Sequence, residues 1–189
     1  SFLSRLSQKS IVVFDDQIRP VSRKYIAEKL IEVSEKSNEL TSLEKEELDF
    51  LFKDFKIEFD IINKIAIDSV QLSLACFDEA NRLRLFSFRN NLFKINVSPI
   101  LGLKIGSRDS EKLTHTWNGI YTYGYIDNYL GFSFDFRDNT ESGKTIDKYK
   151  KFTPVTGVEG RTDENIFNYS AEKTEYSEIN AVVAADWSW

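Results

Sequence analysis

The residues able to do chemistry are few and scattered. The chain has one histidine, His115, set between Thr114 and Thr116. A metal centre needs companion ligands, and no second His or Cys stands at ligand spacing. His115 is therefore expected as a polar residue at a strand end. The single cysteine, Cys76, excludes an intramolecular disulfide, and beside Phe77 it is expected to pack as a small hydrophobe. DFRDNTE, Asp135 to Glu141, gathers three carboxylates with Asn139. Calcium needs converging oxygens, and the EF-hand spacing is absent, so this segment reads as a solvated strand end. Gly102, Gly106, Gly157 and Gly160 make no phosphate loop, and no G-x-S-x-G nucleophile elbow is present. No catalytic, metal-binding or cofactor-binding set emerges. The expectation is a protein that is not an enzyme.

Totals narrow the partners. Lys and Arg number 25 against 30 Asp and Glu, for a net charge of −5. Phosphate affinity comes from clustered Lys and Arg, so nucleic acid is excluded as a partner. No run of about 18 apolar residues exists, which excludes a transmembrane helix but not a membrane β-barrel. The chain begins at Ser1 and contains no methionine. It is expected to be a processed product or the N-terminal fragment of a longer protein.

The elements that must position these side chains fall into two regimes. Residues 1–64 read as helical. Pro20 and Ser22 supply a start signal, and Ile26, Leu30 and Val33 form a face at helical spacing. Thr41-Ser42-Leu43-Glu44 fits a capping box, in which hydroxyl and carboxylate satisfy backbone donors reciprocally. Leu48, Leu51, Phe52, Phe55, Phe59 and Ile62 then form one stripe, expected as a second helix antiparallel to the first.

Residues 65–189 read as strands, after an uninformative stretch from Ile65 to Asn81. Leu83–Phe88 is one candidate, and Asn90-Asn91 a turn. From Leu92 to Gly106 the chain alternates, with Phe93, Ile95, Val97, Leu101, Leu103 and Ile105 against Lys94, Asn96, Ser98 and Lys104. In the next segment Trp117, Tyr121, Tyr123 and Tyr125 share a face opposite Asn118, Thr122 and Gly124. After an Asp127-Asn128 turn, Leu130, Phe132, Phe134 and Phe136 oppose Gly131, Ser133, Asp135 and Arg137, which makes a hairpin. Residues 138–176 are polar and expected as a long loop. Alternation resumes with Ile179, Ala181, Val183, Ala185, Trp187 and Trp189 against Glu178, Asn180, Asp186 and Ser188.

Two readings stay open on the residues alone. A half-buried antiparallel sheet of a soluble α+β binding module alternates in the same way. An outer-membrane barrel would also account for the long strands, the pairing of short turns with one long polar loop, and Trp and Tyr near strand ends. Pro99 weighs against the barrel, because a proline cannot donate to a ladder and implies an edge, a bulge or a break.

A resemblance adds to this. IRPVSRKYIAEKL (Ile18 to Leu30) with LTSLEKEELDFLFKDF resembles the N-terminal helices of Bacteroidetes outer-membrane proteins related to Wzi-type capsule-assembly proteins. NLFKINVSPILGLKIG, WNGIYTYGYI and FSFDFRDNTESG look like that group's opening barrel strands. The resemblance implies an α+β chain in which a periplasmic helical hairpin plugs the first antiparallel strands of a barrel. It further implies an outer-membrane location, contact with outer-membrane lipid, surface polysaccharide as ligand, and other outer-membrane subunits as partners. Some relatives serve gliding motility or surface adhesin export instead. On the barrel reading, Phe93, Ile95, Val97, Leu101, Leu103, Trp117, Tyr121, Phe132 and Phe134 are expected to face lipid. Lys94, Asn96, Lys104, Asn118, Asp135 and Arg137 are expected to face the lumen.

Overall fold

A computed structural model describes residues 1–15, 17, 21–127, 129–146, 166–169 and 172–185. Pro20, Asn128, Gly157, Gly160, Asp186, Trp187 and Trp189, together with most of the expected loop, lie outside them. The described residues form four α-helices followed by an antiparallel sheet.

Helix α1 (Phe2–Gln8) is followed by α2 (Arg23–Glu35), α3 (Ser42–Asp54) and α4 (Lys56–Ile62). Ser22 caps α2 through its hydroxyl. Thr41 and Glu44 form the expected capping box on α3. Phe2, Leu3, Leu6, Ala27, Leu30, Val33, Leu48, Phe55 and Phe59 close into one helical core. The α2 contribution is Ala27, Leu30 and Val33, with Ile26 only partly buried against them.

The expected single stripe from Leu48 to Ile62 is broken at Phe55, whose backbone (φ −98°, ψ 21°) ends α3 and caps α4. The reason is that α4 has two packing surfaces. Phe59 joins the helical core while Ile57 and Ile61 pack on Tyr123 and Tyr125 of the sheet. One straight helix continuing α3 would present a single stripe.

The sheet comprises β1 (Gln71–Phe77), β2 (Leu83–Arg89), β3 (Phe93–Arg108), β4 (Glu111–Ile126), β5 (Leu130–Ser142), β6 (Ile166–Tyr169) and β7 (Lys173–Ala185). Their spatial order is β1-β2-β3-β4-β5-β7-β6, every pair antiparallel. Strands β3 and β4 pair without interruption from Phe93↔Ile126 to Arg108↔Glu111. Asp109 and Ser110, both at positive φ, close that hairpin as a two-residue turn of the type that matches strand twist.

Pro99 therefore neither turns the chain nor divides it. It pairs with Ile120 on one side. On the other side the β2 ladder has already ended at Phe86↔Val97, so Pro99 stands where β3 has lost one neighbour. An edge position is where a strand tolerates a missing N–H.

Two expectations are corrected. The stretch 65–81 contains β1, whose alternation (Leu72 and Leu74 against Gln71 and Ser73) stops at Ala75, at φ +47°. The polar segment 138–176 is not all loop. β5 runs to Ser142, β7 begins at Lys173, and β6 lies between them, because polar residues pair in a ladder as readily as apolar ones when a neighbouring strand is present.

Candidate functional site

Cross-strand register assigns the two faces of the sheet. Lys94, Asn96 and Ser98 stand opposite Tyr125, Tyr123 and Tyr121, which stand opposite Gly131, Ser133 and Asp135, and these opposite Ala184, Val182 and Asn180. Arg137, Asn139 and Glu141 continue this polar face toward the far end, beside Glu178, Tyr176 and Thr174. The other face carries Phe93, Ile95, Val97, Leu101, Leu103, Phe132, Phe134, Ile179 and Val183.

The expected partition thus fails at three residues of β4. Trp117 and Tyr121 belong to the polar face with Lys94, Asp135 and Arg137, and Asn118 belongs to the apolar face with Leu101. The alternation within β4 was read correctly, but which half faces which was not. Tyr and Trp have an apolar body and a polar tip, so their residue type suits either side. Two rings also fill gaps left by glycines. Trp117 covers Gly102, where an added Cβ would come within 2.0 Å of the indole, and Phe132 covers Gly124.

Burial is the reverse of a water-soluble sheet. The helices sit on the polar face, and Lys94 and Arg84 are each 3% exposed there. On the apolar face Leu101 is 81% exposed and Leu74 and Val183 are 69% exposed. The 56–62 helix packs on Tyr121, Tyr123 and Tyr125, and no described helix covers the Leu130–Phe136 face.

The helices are fastened by carboxylates that the apolar stripe had hidden. Glu58 of α4 is fully buried. It accepts from Arg23 Nε at 2.7 Å and from the Tyr125 hydroxyl at 2.8 Å. The Arg23 guanidinium lies between the Phe55 ring at 4.1 Å and the Tyr123 ring at 4.4 Å, and it donates to the Asp54 carbonyl at 3.0 Å. Burial alone would lower its pKa, but the adjoining Glu58 carboxylate holds it well above the ordinary arginine value. Asp60 accepts from Arg89 of β2, and Asp54 pairs with Arg82 at 2.6 Å. The available signal was FKIEFDII, in which Glu58 and Asp60 interrupt an apolar run. A buried acid in such a run requires a cation from another element.

The remaining polar-face residues are paired rather than idle. Asn96 donates to the Tyr123 hydroxyl at 2.9 Å and accepts from Ser87 at 2.7 Å. Lys94 donates to the Asn91 carbonyl at 3.2 Å. Asp135 and Arg137 form a two-pronged pair at 2.8 and 2.6 Å. Lys104 is exposed at the far end. His115 lies within β4 rather than at a strand end. It is buried, with Nε2 2.9 Å from Asn139 Oδ1 and its ring 4.8 Å from Trp117. DFRDNTE is not a solvated strand end either: its alternate residues Asp135, Arg137, Asn139 and Glu141 lie on the polar face, Asn139 and Glu141 are buried, and the Tyr176 hydroxyl donates to Glu141 at 2.8 Å.

Several cavities open on this face. One of about 490 Å³ lies between the start of α2 and Tyr121, Tyr123 and Tyr125. Another of about 510 Å³ lies among Arg82, Arg84, Ser98, Tyr121, Asp135 and Arg137. Among the described residues no group of His, Cys, Asp and Glu could hold a metal ion. The chain matches no known family model, no curated protein and no solved structure at a significant level.

Proposed function

We propose that this chain is the helix-plugged opening segment of an outer-membrane β-barrel that holds polysaccharide at the cell surface. The observation that carries the barrel reading is the inverted sheet. Part of its charged and hydrogen-bonding face is covered by the chain's own helices, while no described helix covers the opposite face, where Leu101, Leu103, Ile179 and Val183 are exposed and Phe93, Phe132 and Phe134 half-buried. Water would favour the opposite arrangement by roughly 25 cal/mol for each Å² of apolar surface. Lipid favours this one.

The length of β3 agrees with that solvent, while the apolar run of β5, Leu130–Phe136, is about half as long. From Phe93 to Ile105 the apolar positions of β3 extend about 40 Å along the strand at about 3.3 Å per residue. At the usual tilt of about 45° this is a band about 28 Å tall, against about 25 Å for barrels of this class. On β5 and β7 the band ends where Asp138 and Ser177 replace Phe136 and Ile179.

The end bearing the helices has the short connections, Asn90–Leu92 and Asp127–Tyr129. The opposite end has the two-residue turn Asp109–Ser110 and the connection 78–82, and it alone has a long one, residues 143–165. Barrels of this kind keep short turns toward the periplasm and long loops outside. The helices then lie on the periplasmic side. The polysaccharide assignment comes from the resemblance of the helical and strand segments to capsule-assembly proteins, and it is supported by a polar face rich in tyrosine, arginine and carboxylate.

The full-length protein is expected to require detergent, to migrate differently in gels when unheated, and to be required for surface-glycan retention. A folded monomer in plain buffer would refute the barrel. Unchanged glycan retention in cells lacking the protein would refute the polysaccharide role.

A further inference from the structure

A third cavity, of about 270 Å³, opens at the end of the polar face away from the helices, where β3 and β4 meet the residues after β5. Its floor is a gap among the side chains of the sheet. On β3 the polar face continues as Lys104, Gly106 and Arg108, and a Cβ added at Gly106 would meet nothing within 4 Å. Leu113 and His115 of β4, Glu141 of β5, and then Thr145 and Ile146 wall the gap.

The two cations flanking it have no ion-pair partner among the described residues. Lys104 is exposed and makes no hydrogen bond there. Arg108 is exposed too, and its Nη1 donates to the Thr145 carbonyl at 3.2 Å while Nε and Nη2 stay unengaged. Arg137 shows what that edge of a guanidinium does in this same sheet, where its Nε and Nη2 hold both oxygens of Asp135. Glu111, across from Arg108, pairs with Lys144 at 3.3 Å. Glu141 in the cavity wall is buried and accepts from the Tyr176 hydroxyl at 2.8 Å. Lys104 and Arg108 against Glu141 leave the cavity one positive charge, which a single carboxylate from outside balances.

We infer that this cleft is a subsite for an acidic sugar, whose carboxylate lies on the Nε–Nη2 edge of Arg108 while Lys104 donates to another oxygen of the same sugar across the Gly106 gap. The inference rests on the surface-polysaccharide reading above. Two parallel N–H···O bonds fix the orientation of the sugar as well as adding energy. Lys104 and Arg108 stand about 13 Å apart along β3 at about 3.3 Å per residue, a span that two long side chains close around one sugar. The volume is below the range of about 300–1,000 Å³ usual for drug-sized ligands, so it suits one residue of a chain. On the barrel reading this end carries the long connection and faces outward, where a retained glycan must be met.

The test uses the full-length protein and the surface polysaccharide of the cells that make it, in native form and after chemical reduction of its carboxyl groups. Wild-type protein is expected to bind the native form about tenfold more tightly than the reduced form, and to lose affinity as NaCl rises from about 50 to about 500 mM. Arg108→Gln is expected to weaken native binding about tenfold and to abolish the preference for the native form. Lys104→Gln is expected to weaken it about threefold. Gly106→Val fills the gap without changing charge and is expected to weaken both forms. Lys112→Gln removes the same charge from the other face of the sheet and is expected to change nothing. All four positions are exposed, and circular dichroism reports that each variant folds. Equal binding of the two forms by wild-type protein, or a polysaccharide without acidic sugars, would overturn the subsite. Unchanged binding by all three cleft variants, or an equal loss in Lys112→Gln, would overturn it as well. Cells lacking the protein that still retain their glycan would overturn the polysaccharide reading itself.

Discussion

At the residue scale, Glu58 is the most deeply buried of the carboxylates that fasten helices to sheet. Glu58 is fully buried and holds Arg23 and Tyr125 together, so its removal leaves the guanidinium between two rings without a counter-charge. Glu58→Ala is expected to cost about 3–5 kcal/mol, the range for breaking one partner of a buried pair. Thermal unfolding followed by near-ultraviolet circular dichroism of the tyrosines would measure it. Glu44 shows a different kind of dependence. Hydrogen bonds from Lys9 and then from the Thr41 backbone and hydroxyl hold its carboxyl down at about 2. A carboxyl depressed on folding contributes stability that is complete above its unfolded value of about 4.5 and is lost as pH falls toward about 2. Glu44→Gln is expected to flatten helical stability across that window, read by circular dichroism at 222 nm. An unchanged pH profile would remove Glu44 from the cap.

At the scale of elements, α3 and β5 make different demands on their sequences. The α3 cap is local, and Thr41→Ala is expected to cost about 1 kcal/mol wherever the chain is placed. The apolar face of β5 depends on its solvent. Phe134→Arg is expected to destabilise the protein by about 2–4 kcal/mol in phospholipid vesicles, the cost of a cation near the bilayer midplane. Urea unfolding in vesicles measures it, and a loss under about 0.5 kcal/mol, as at an ordinary exposed position, would place Phe134 in water. Gly102→Val is expected to displace Trp117 from the strand pair, with loss of indole fluorescence anisotropy as the signature.

At the scale of the whole molecule, the proposed barrel reading and the one long connection together predict a direction across the membrane. In a Cys76→Ser background, Lys144→Cys beside the long connection is expected to react with an impermeant maleimide on intact cells. Lys45→Cys on α3 is expected to react only after the outer membrane is opened. The reverse pattern would invert the orientation. On the proposed barrel reading the helices are a stopper rather than an appendage. They sit on the polar face at the short-turn end, and their three acidic anchors, Asp54, Glu58 and Asp60, reach arginines on the β1–β2 connection, α2 and β2.

The sequence by itself determined the local structure. Helix starts at Ser22 and Thr41, and the alternation of β3, β5 and β7, were legible because capping and period-two patterning act between residues a few positions apart. β1 was not, because its alternation is short and broken at Ala75, and it is recognisable mainly by its pairing with β2. Nor was the break at Phe55, which exists because α4 must serve the helical core and the sheet together. Only the tertiary structure decided that Trp117 and Tyr121 join the side of Lys94 and Asp135 and leave Asn118 on the other. A strand's own sequence separates its two faces, but cross-strand hydrogen bonding decides which face of one strand continues which face of the next. Only long-range contact, likewise, brought Arg23 to Glu58, and Arg82, Arg84 and Arg137 to one cavity, from segments far apart along the chain.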